Sequence, residues 1–527
     1  MNTALSRRDL LALIGTLAGS AAMYHAMTAL GLASESPYKG RIKLQGDVGG
    51  TSVLILGAGL AGLTAALELR DAGYAVQILE FNNRAGGRNW TLRGGDRFEE
   101  LGGFTQQCEF ADGLYFNPGP WRIPHHHRAV LDYCKRLNVE LQPFVQLNYN
   151  ALLHSTKAFG GKPQRIRHIR ADFQGQIAEL LAKVAEQSKL DEVVSTDDKA
   201  VLLEALRSWG ALDKDYAYKA NLTSASSRGF SRGPGGGLNA IPVASDPIDL
   251  SEILQSRLWR YLQNFSRHEF QSTMLQPVGG MDAIGRAFAR EVGNLIQFNS
   301  KVTRIDQDEN GISVTYLDTK TADMRVAKAD WCVCTIPLSI LSQIPISVGG
   351  RMKAAIEAVP YAPAVKIGLQ FKRRFWEEDE AIYGGISFTD LPIQQIAYPN
   401  ADFNRDGPGV LLGAYVIGNA NSFEFTSLSP GERIARAVEL GAMIHPQYPA
   451  AFANGISVAW HRVPYVMGCA GYWTETTRAQ HYNDLCQIDG RIVLAGEHAS
   501  YIPAWQEGAI LSALDAIERL HLRVTKT

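Results

Sequence analysis

Apolar runs of two kinds alternate along the chain. Ser52-Val53-Leu54-Ile55-Leu56 is a short β-type run, the stretch up to Asp71 is helical in character, Gly73 closes it, and Ala75 to Leu79 forms a second β-type run ending at Glu80. This order predicts a βαβ unit. Lys301 to Ile305 and the run from Arg491 to Leu494 read as further strands, and Val365 to Phe371 and Val410 to Ile417 predict a mixed sheet between Pro337 and about Trp460. Ile177, Leu180, Leu181 and Val184 recur at helical spacing, and the stretches Asp197 to Arg207 and Asp249 to Leu262 also look helical. Together they predict a helical domain over about 128–270. Inside it, residues 222–246 are too rich in glycine and serine for a packed element. They read as a mobile linker or a loop near a substrate entrance, with linker the safer reading.

Length and charge narrow the field. The 527 residues correspond to about three folding units at ~150 residues each. The 52 basic and 53 acidic side chains give a net charge of −1, which supplies no positive field for nucleic acid, so no nucleic-acid partner is expected. Six cysteines, none in a CxxC pair, imply neither a disulfide scaffold nor a structural metal. Cys332 and Cys334 lie two apart on a strand and should share a buried face. At the amino terminus, Ser6-Arg7-Arg8-Asp9-Leu10-Leu11 precedes a mildly apolar stretch and resembles a twin-arginine export signal over 1–33. The alternative is an ordinary N-terminal helix. The signal implies a periplasmic or secreted protein that folds around its cofactor before export by the twin-arginine machinery. No other run approaches the roughly 18 apolar residues of a membrane span, so the remainder should be soluble.

The turn after the first strand carries the first chemical signal. In Gly57-Ala58-Gly59-Leu60-Ala61-Gly62, Gly57 permits a tight turn, Gly59 admits a pyrophosphate and Gly62 lets helix and strand pack closely. Leu60 and Ala61 open the helix whose N-terminus faces the anion. Glu80, 18 positions after Gly62, is placed to accept ribose hydroxyls. A lone GxGxxG is weak, but strand, helix and acid at these spacings indicate a dinucleotide site.

Asn83-Arg84-Ala85-Gly86-Gly87-Arg88 and Phe98-Glu99-Glu100-Leu101-Gly102-Gly103 resemble the segments that run beneath the flavin in the flavin-containing amine oxidase family. Two ordinary turns would be the alternative. The resemblance extends from Val53 to about Leu520 and is nearest to the L-amino acid oxidases. It includes Gly496-Glu497-His498 after a strand and Trp505-Gln506-Glu507-Gly508-Ala509 opening the last helix. It implies FAD as cofactor, with Val302 contacting adenine and Gly496, Glu497, Trp505 and Ala509 closing the flavin site. The implied fold is α/β: a Rossmann-like FAD-binding domain (45–110, 271–336 and 461–527), a mixed-sheet substrate domain (111–127 and 337–460) and the inserted helical domain.

The same resemblance assigns the chemistry. Arg122, in Gly119-Pro120-Trp121-Arg122-Ile123-Pro124, would pair with a substrate carboxylate, a task suited to its planar fork. Alone it would read as an ordinary ion-pair residue. Tyr415 would give that carboxylate a second hydrogen bond, although a strand tyrosine is otherwise packing. Lys366 would hold a water near the flavin and supply positive charge during reaction with oxygen. Its alternating strand also allows an exposed lysine. Trp505 would wall the substrate against the flavin, opposite Ala470, with Trp473 filling part of the space. Cys469 falls where monoamine oxidases carry a thioether to flavin, whereas L-amino acid oxidases hold FAD without a covalent bond, and the latter is expected. His125-His126-His127 cannot converge on one ion, since successive helical residues point about 100° apart; His127 matches a helix-start histidine of the family, and the others should be solvated.

The expected activity is oxidative deamination of an L-amino acid by FAD and dioxygen to a 2-oxo acid, ammonia and hydrogen peroxide, in amino acid catabolism, by a homodimer. The alternatives are an amine oxidase, an amino acid 2-monooxygenase or a dehydrogenase of the same family, and a non-catalytic FAD-binding exported protein.

Overall fold

The computed structural model describes residues 36–187, 195–238 and 240–526. The Arg7-Arg8 motif and the expected leader at 1–33 lie outside the described residues. Ser52–Leu56 is a central strand of a six-stranded sheet ordered Ile296–Gln297, Ala75–Leu79, Ser52–Leu56, Trp331–Cys334, Ile492–Leu494, Ile488–Asp489. Every neighbouring pair is parallel except the last. A parallel sheet is covered on both faces, which explains the unbroken apolar runs. On one face Val53 and Ile55 pack against the helices Leu60–Asp71, Arg128–Arg136, Ala283–Val292 and Gln506–Thr525. On the other, Leu54, Leu56, Cys332 and Cys334 pack against the antiparallel strands Ser300–Gln307, Ile312–Asp318 and Met324–Ala329. The two cysteines share a fully buried face, as their spacing predicts.

The second sheet has seven strands, ordered Gln164–Arg165, Leu152–His154, Ile386–Thr389, Gln395–Ala397, Gly409–Ile417, Ala364–Phe371, Phe452–Ala459. Ala364–Phe371 is buried at every position, so Lys366 is not on an exposed face as its alternating run allowed. Its pairing with Gly409–Ile417 carries one bulge, because Ile367 opposes Ala414 while Gly368 opposes Leu412. Gly413 is the extra residue, and a Cβ there would overlap Leu369 Cδ1.

The helical region departs from the expected 128–270. Arg128–Arg136 packs on the parallel-sheet core, Leu141–Phe144 pairs with Met274–Pro277, and Leu152–His154 joins the seven-stranded sheet through Phe388 and Thr389. The helical unit therefore begins at Ile166–Glu186 and continues through Thr196–Trp209, Leu222–Arg228, Leu250–Ser256 and Trp259–Leu262. Periodicity shows that a helix has an apolar face but not which core receives it. Leu180 and Leu181 are 45% and 43% exposed; Ile169, Asp172, Gly175, Ala178, Ala182 and Ala185 form the buried face instead. Close approach selects the small residues: a Cβ on Gly175 would overlap the Tyr218 ring. Nor is 222–246 a linker. Leu222–Arg228 is a helix with an Asn221–Ser224 capping box, Phe230–Arg232 pairs with Val243–Ala244, and buried Arg228 bonds Asp172 at 2.8 Å. The capping residues offset the low helix propensity of serine. Among the described residues no helix is long and apolar enough to cross a membrane.

Candidate active site

A cavity of about 200 Å³ lies where the carboxyl ends of three parallel strands, marked by Gly59, Thr335 and Gly496, face Lys366 and Tyr415 of the seven-stranded sheet. This is the usual ligand position in open α/β sheets. Its nucleotide end is built as the glycine spacing requires. Gly57 has φ +104°, and a Cβ on Gly62 would overlap the Gly57 carbonyl oxygen, whereas a Cβ on Gly59 would meet open space. Gly59 caps the helix without any side-chain acceptor, and Leu60 and Ala61 line the cavity behind it, so the first N–H groups of the helix are available to an anion. Glu80 is buried; its two oxygens accept from Ala58 N at 2.7 Å, Asn82 N at 2.8 Å and Asn82 Nδ2 at 2.7 Å. A carboxylate has about four acceptor sites, leaving capacity for a hydroxyl.

Gly86 (φ +100°) and Gly87 (φ +57°) bring the chain against this turn, with Gly86 bridging to Gly59. Arg88 Nη1 then donates to Glu497 Oε1 at 2.7 Å and to the Cys469 carbonyl at 2.8 Å. Against the effect of burial, the Arg88 guanidinium holds the Glu497 carboxyl below its usual range. Gly496, at φ +141°, turns the chain into Glu497. Trp505 begins the last helix, and with Gln506 and Ala509 it lines the cavity. Gln506 Nε2 donates to Asn89 Oδ1 at 2.8 Å, but its buried Oε1 has no partner among the described residues. A free helix N-terminus, a spare carboxylate site, a glycine cradle and an unpartnered buried acceptor fit a flavin dinucleotide.

The opposite end carries the substrate candidates. The Arg122 guanidinium lies 4.4 Å from the Phe270 ring centroid and 4.9 Å from that of Trp121, and its Nη1 donates to Gln146 Oε1 at 2.9 Å. Pairing of Ile123–Pro124 with Met274 and Leu275 anchors the backbone beside it. Lys366 directly opposes Tyr415 across the strands. Its Nζ donates to the Gly119 carbonyl at 2.5 Å. Burial pushes the Lys366 pKa down to about 7, and the Arg122 charge adds to the shift.

Several expected positions lie elsewhere. Gly102 and Gly103 are exposed and form the turn between Arg97–Glu99 and Thr105–Gln107, away from the cavity. The second backbone segment at the cavity is Pro118-Gly119-Pro120. There a Cβ on Gly119 would overlap the Arg88 carbonyl oxygen, so close approach demands glycine at 119, not at 102 or 103. Val302, expected at adenine, is buried on the strand whose Ser300 N donates to the Glu80 carbonyl at 2.8 Å, beside the nucleotide carboxylate and not at the substrate end. Ala470 is buried, its carbonyl bonded to Ala362 N, and Trp473 is core, donating Nε1 to the His498 carbonyl; Cys469 reaches the cavity in their place. His126 is not solvated: it is 8% exposed, its ring centroid 4.3 Å from that of His268. Burial, with His268 and His125 nearby, pushes its pKa down to about 4. Among the described residues no group of three His, Cys, Asp or Glu could hold a metal.

Gln146, Asn264, Phe270, Ile386, Phe388 and Gln395 also line the cavity and carried no signal, since isolated amides and aromatics have no diagnostic spacing.

This arrangement agrees with comparisons to known proteins. The flavin containing amine oxidoreductase family pattern matches residues 60–521. The Bacillus subtilis (strain 168) protein YobN is 30% identical over 88% of this chain and 93% of its own. The L-amino-acid oxidase of Siganus canaliculatus is 30% identical over 89% of this chain and 85% of its own. In fold, the chain resembles putrescine oxidase bound to putrescine, with TM-score 0.59 and 17% identity over 90% of this chain and 99% of that one. Glycine cradle, Arg88–Glu497 pair and the family match over residues 60–521 thus converge, and the chain belongs to the flavin-containing amine oxidoreductase family, with a flavin as its cofactor.

Proposed function

We propose that this protein uses FAD to oxidise the Cα–N bond of an L-amino acid, yielding a 2-oxo acid, ammonia and hydrogen peroxide. The observation that carries this reading is the place of Arg122: a guanidinium between two aromatic rings, held by Gln146, in the same cavity as Tyr415 and Lys366. An amine without a carboxylate has nothing for that cation to grip. A charge-assisted hydrogen bond contributes about 1.5–3 kcal/mol, and the Arg122 fork with the Tyr415 hydroxyl offers several. Relatives named L-amino-acid oxidases support the same substrate class.

The flavin, when bound, supplies an acceptor for the hydride leaving Cα. The chain's own part is placement and charge. Arg122 and Tyr415 fix the carboxylate end, Trp505 and Phe270 limit rotation of the remainder, and the apolar walls Ile386, Phe388 and Trp460 exclude water. Lys366, with its pKa near 7, holds or releases a proton at Nζ around neutral pH.

The test is anaerobic titration of holoenzyme with L-amino acids and with the matching decarboxylated amines. Bleaching of the flavin by the acids alone is expected; equal bleaching by the amines would remove the carboxylate role. Arg122→Ala should lower kcat/KM for amino acids by about 10²-fold or more while flavin stays bound. Detection of hydrogen peroxide and 2-oxo acid separates an oxidase from a monooxygenase or a dehydrogenase.

A further inference from the structure

Beyond the glycine cradle and the Arg122–Tyr415 anchor, the cavity has walls of two kinds. Ile386, Phe388 and Gln395 share one face of the seven-stranded sheet, because Phe388 directly opposes Gln395 and Ile386 lies two residues before Phe388. Ile417 stands two residues after Tyr415 on its strand, and all of these line the cavity. Asn264 and Phe270 reach it from the segment that follows the helical unit. That segment is seated on the same sheet: the Phe265 ring meets Phe388 edge-on, with centroids 5.7 Å apart.

The amides around this space differ in their commitments. Gln146 holds Arg122, and Gln506 is bonded to Asn89. Gln394 engages the backbone of Ile417 at both ends, donating from Nε2 at 2.8 Å and accepting at Oε1 at 3.0 Å. Those two bonds fix the position of the next residue, Gln395. The side-chain amides of Gln395 and Asn264 have no hydrogen-bond partner among the described residues, although Asn264 is only 9% exposed. Leaving a buried amide unpaired is costly, so a ligand group that pairs with it is favoured. Charge restricts that group further. Among the described residues the one carboxylate lining the cavity is Glu497, which is paired with Arg88; the other charged groups are Arg122 and Lys366. A cationic side chain would meet two cations and no free counter-charge.

From these contacts we infer that Asn264 and Gln395 select the substrate's side chain, favouring a neutral L-amino acid with an apolar body and a hydrogen-bonding tip, such as L-tyrosine or L-glutamine. The inference rests on the amino acid reading proposed above and adds the side-chain class to it. Ile386, Phe388, Ile417 and Phe270 pack the body, and an amide, being both donor and acceptor, matches a phenol or a carboxamide. A site built to bond such a group discriminates against the analogue that lacks it, because its own polar atoms are then left unpaired.

The test is stopped-flow anaerobic reduction of the holoenzyme by L-tyrosine against L-phenylalanine, L-glutamine against L-methionine, and L-lysine. The second-order rate constant should favour the polar member of at least one pair by about tenfold, with L-lysine slower than L-glutamine. In Asn264→Leu or Gln395→Leu that preference should fall below about threefold. A ratio taken within one variant cancels a general loss of folding or of flavin, and either variant serves should the other not fold. A parent preference below about threefold in both pairs overturns the inference. So does a preference that survives in both variants, or L-lysine reducing the flavin as fast as L-glutamine. Equal reduction by all five acids overturns this inference alone, whereas reduction by none of them overturns the amino acid reading as well.

Discussion

Lys366 and Tyr415 occupy directly opposed positions on adjacent antiparallel strands, with the lysine Nζ 4.5 Å from the centroid of the phenol ring. The pair joins the two halves of the site. Tyr415 faces the substrate cavity beside Arg122, and Lys366 spans from Tyr415 to Trp121 and the Gly119 carbonyl. Burying an ammonium among rings and one carbonyl costs stability, which the fold accepts where the charge has a use.

That cost is measurable in flavin-free protein. The folded-state pKa of Lys366 is lowered from 10.5 to about 7, so between these values the unfolded chain binds more protons and stability rises with pH. Lys366→Met should therefore melt higher than the parent at neutral pH, by about 1–4 kcal/mol of stability. The gap should narrow as pH rises towards 10.5. A constant gap across a pH series of melting curves would contradict the assignment.

Gln146 acts through Arg122. Its Oε1 is an acceptor for Arg122 Nη1, and leucine of similar size removes it. KM for an amino acid should rise about tenfold in Gln146→Leu with little change in kcat, because one hydrogen bond to a charged group is lost in ground and transition states alike. Steady-state kinetics reads the split; a selective fall in kcat would point to a different role.

Gly119→Ala tests the backbone contact. The new Cβ would overlap the Arg88 carbonyl oxygen and push apart the segments carrying Arg88 and Arg122. Loss of bound flavin and about 1–3 kcal/mol of stability are expected. Gly102→Ala, at an exposed turn with φ +102°, should cost about 1 kcal/mol through backbone strain yet keep its flavin, as absorbance spectra of the purified variants will show.

Acid sensitivity follows from His126. Its folded pKa of about 4 lies below 6.5, so stability is lost as pH falls through that interval, where the unfolded chain takes up the proton. His126→Leu should flatten the acid limb of the stability curve. The flattening should be partial, because His168 and His498 are also lowered to about 4, chiefly by burial. Urea midpoints measured at both ends of the interval report the slope.

Cys469 reaches the cavity, and burial raises its thiol pKa although Arg88 and Lys366 oppose the shift. A thiol held protonated is a poor nucleophile. The flavin should come off intact on denaturation and leave a peptide of unmodified mass; a flavin-bearing tryptic fragment in mass spectrometry would show the opposite.

Local information in the chain was enough for the nucleotide turn. Gly57, Gly59, Gly62 and Glu80 act through backbone conformation and spacing along one βαβ unit, and those are properties of neighbouring residues. Arg122, Tyr415, Lys366 and Trp505 were legible only through the family resemblance, and the fold brings all four to one cavity. Gly102 and Gly119 are both glycines beside turns; only the approach of Arg88, 31 positions from Gly119 in the chain, separates them. Trp473 resembles a pocket residue in sequence but is sealed in the core by the His498 carbonyl. Gln146 and Phe270 had no pattern to betray them. A sequence specifies torsions and periodic faces directly, whereas contacts between distant segments exist only once close packing has chosen which faces meet.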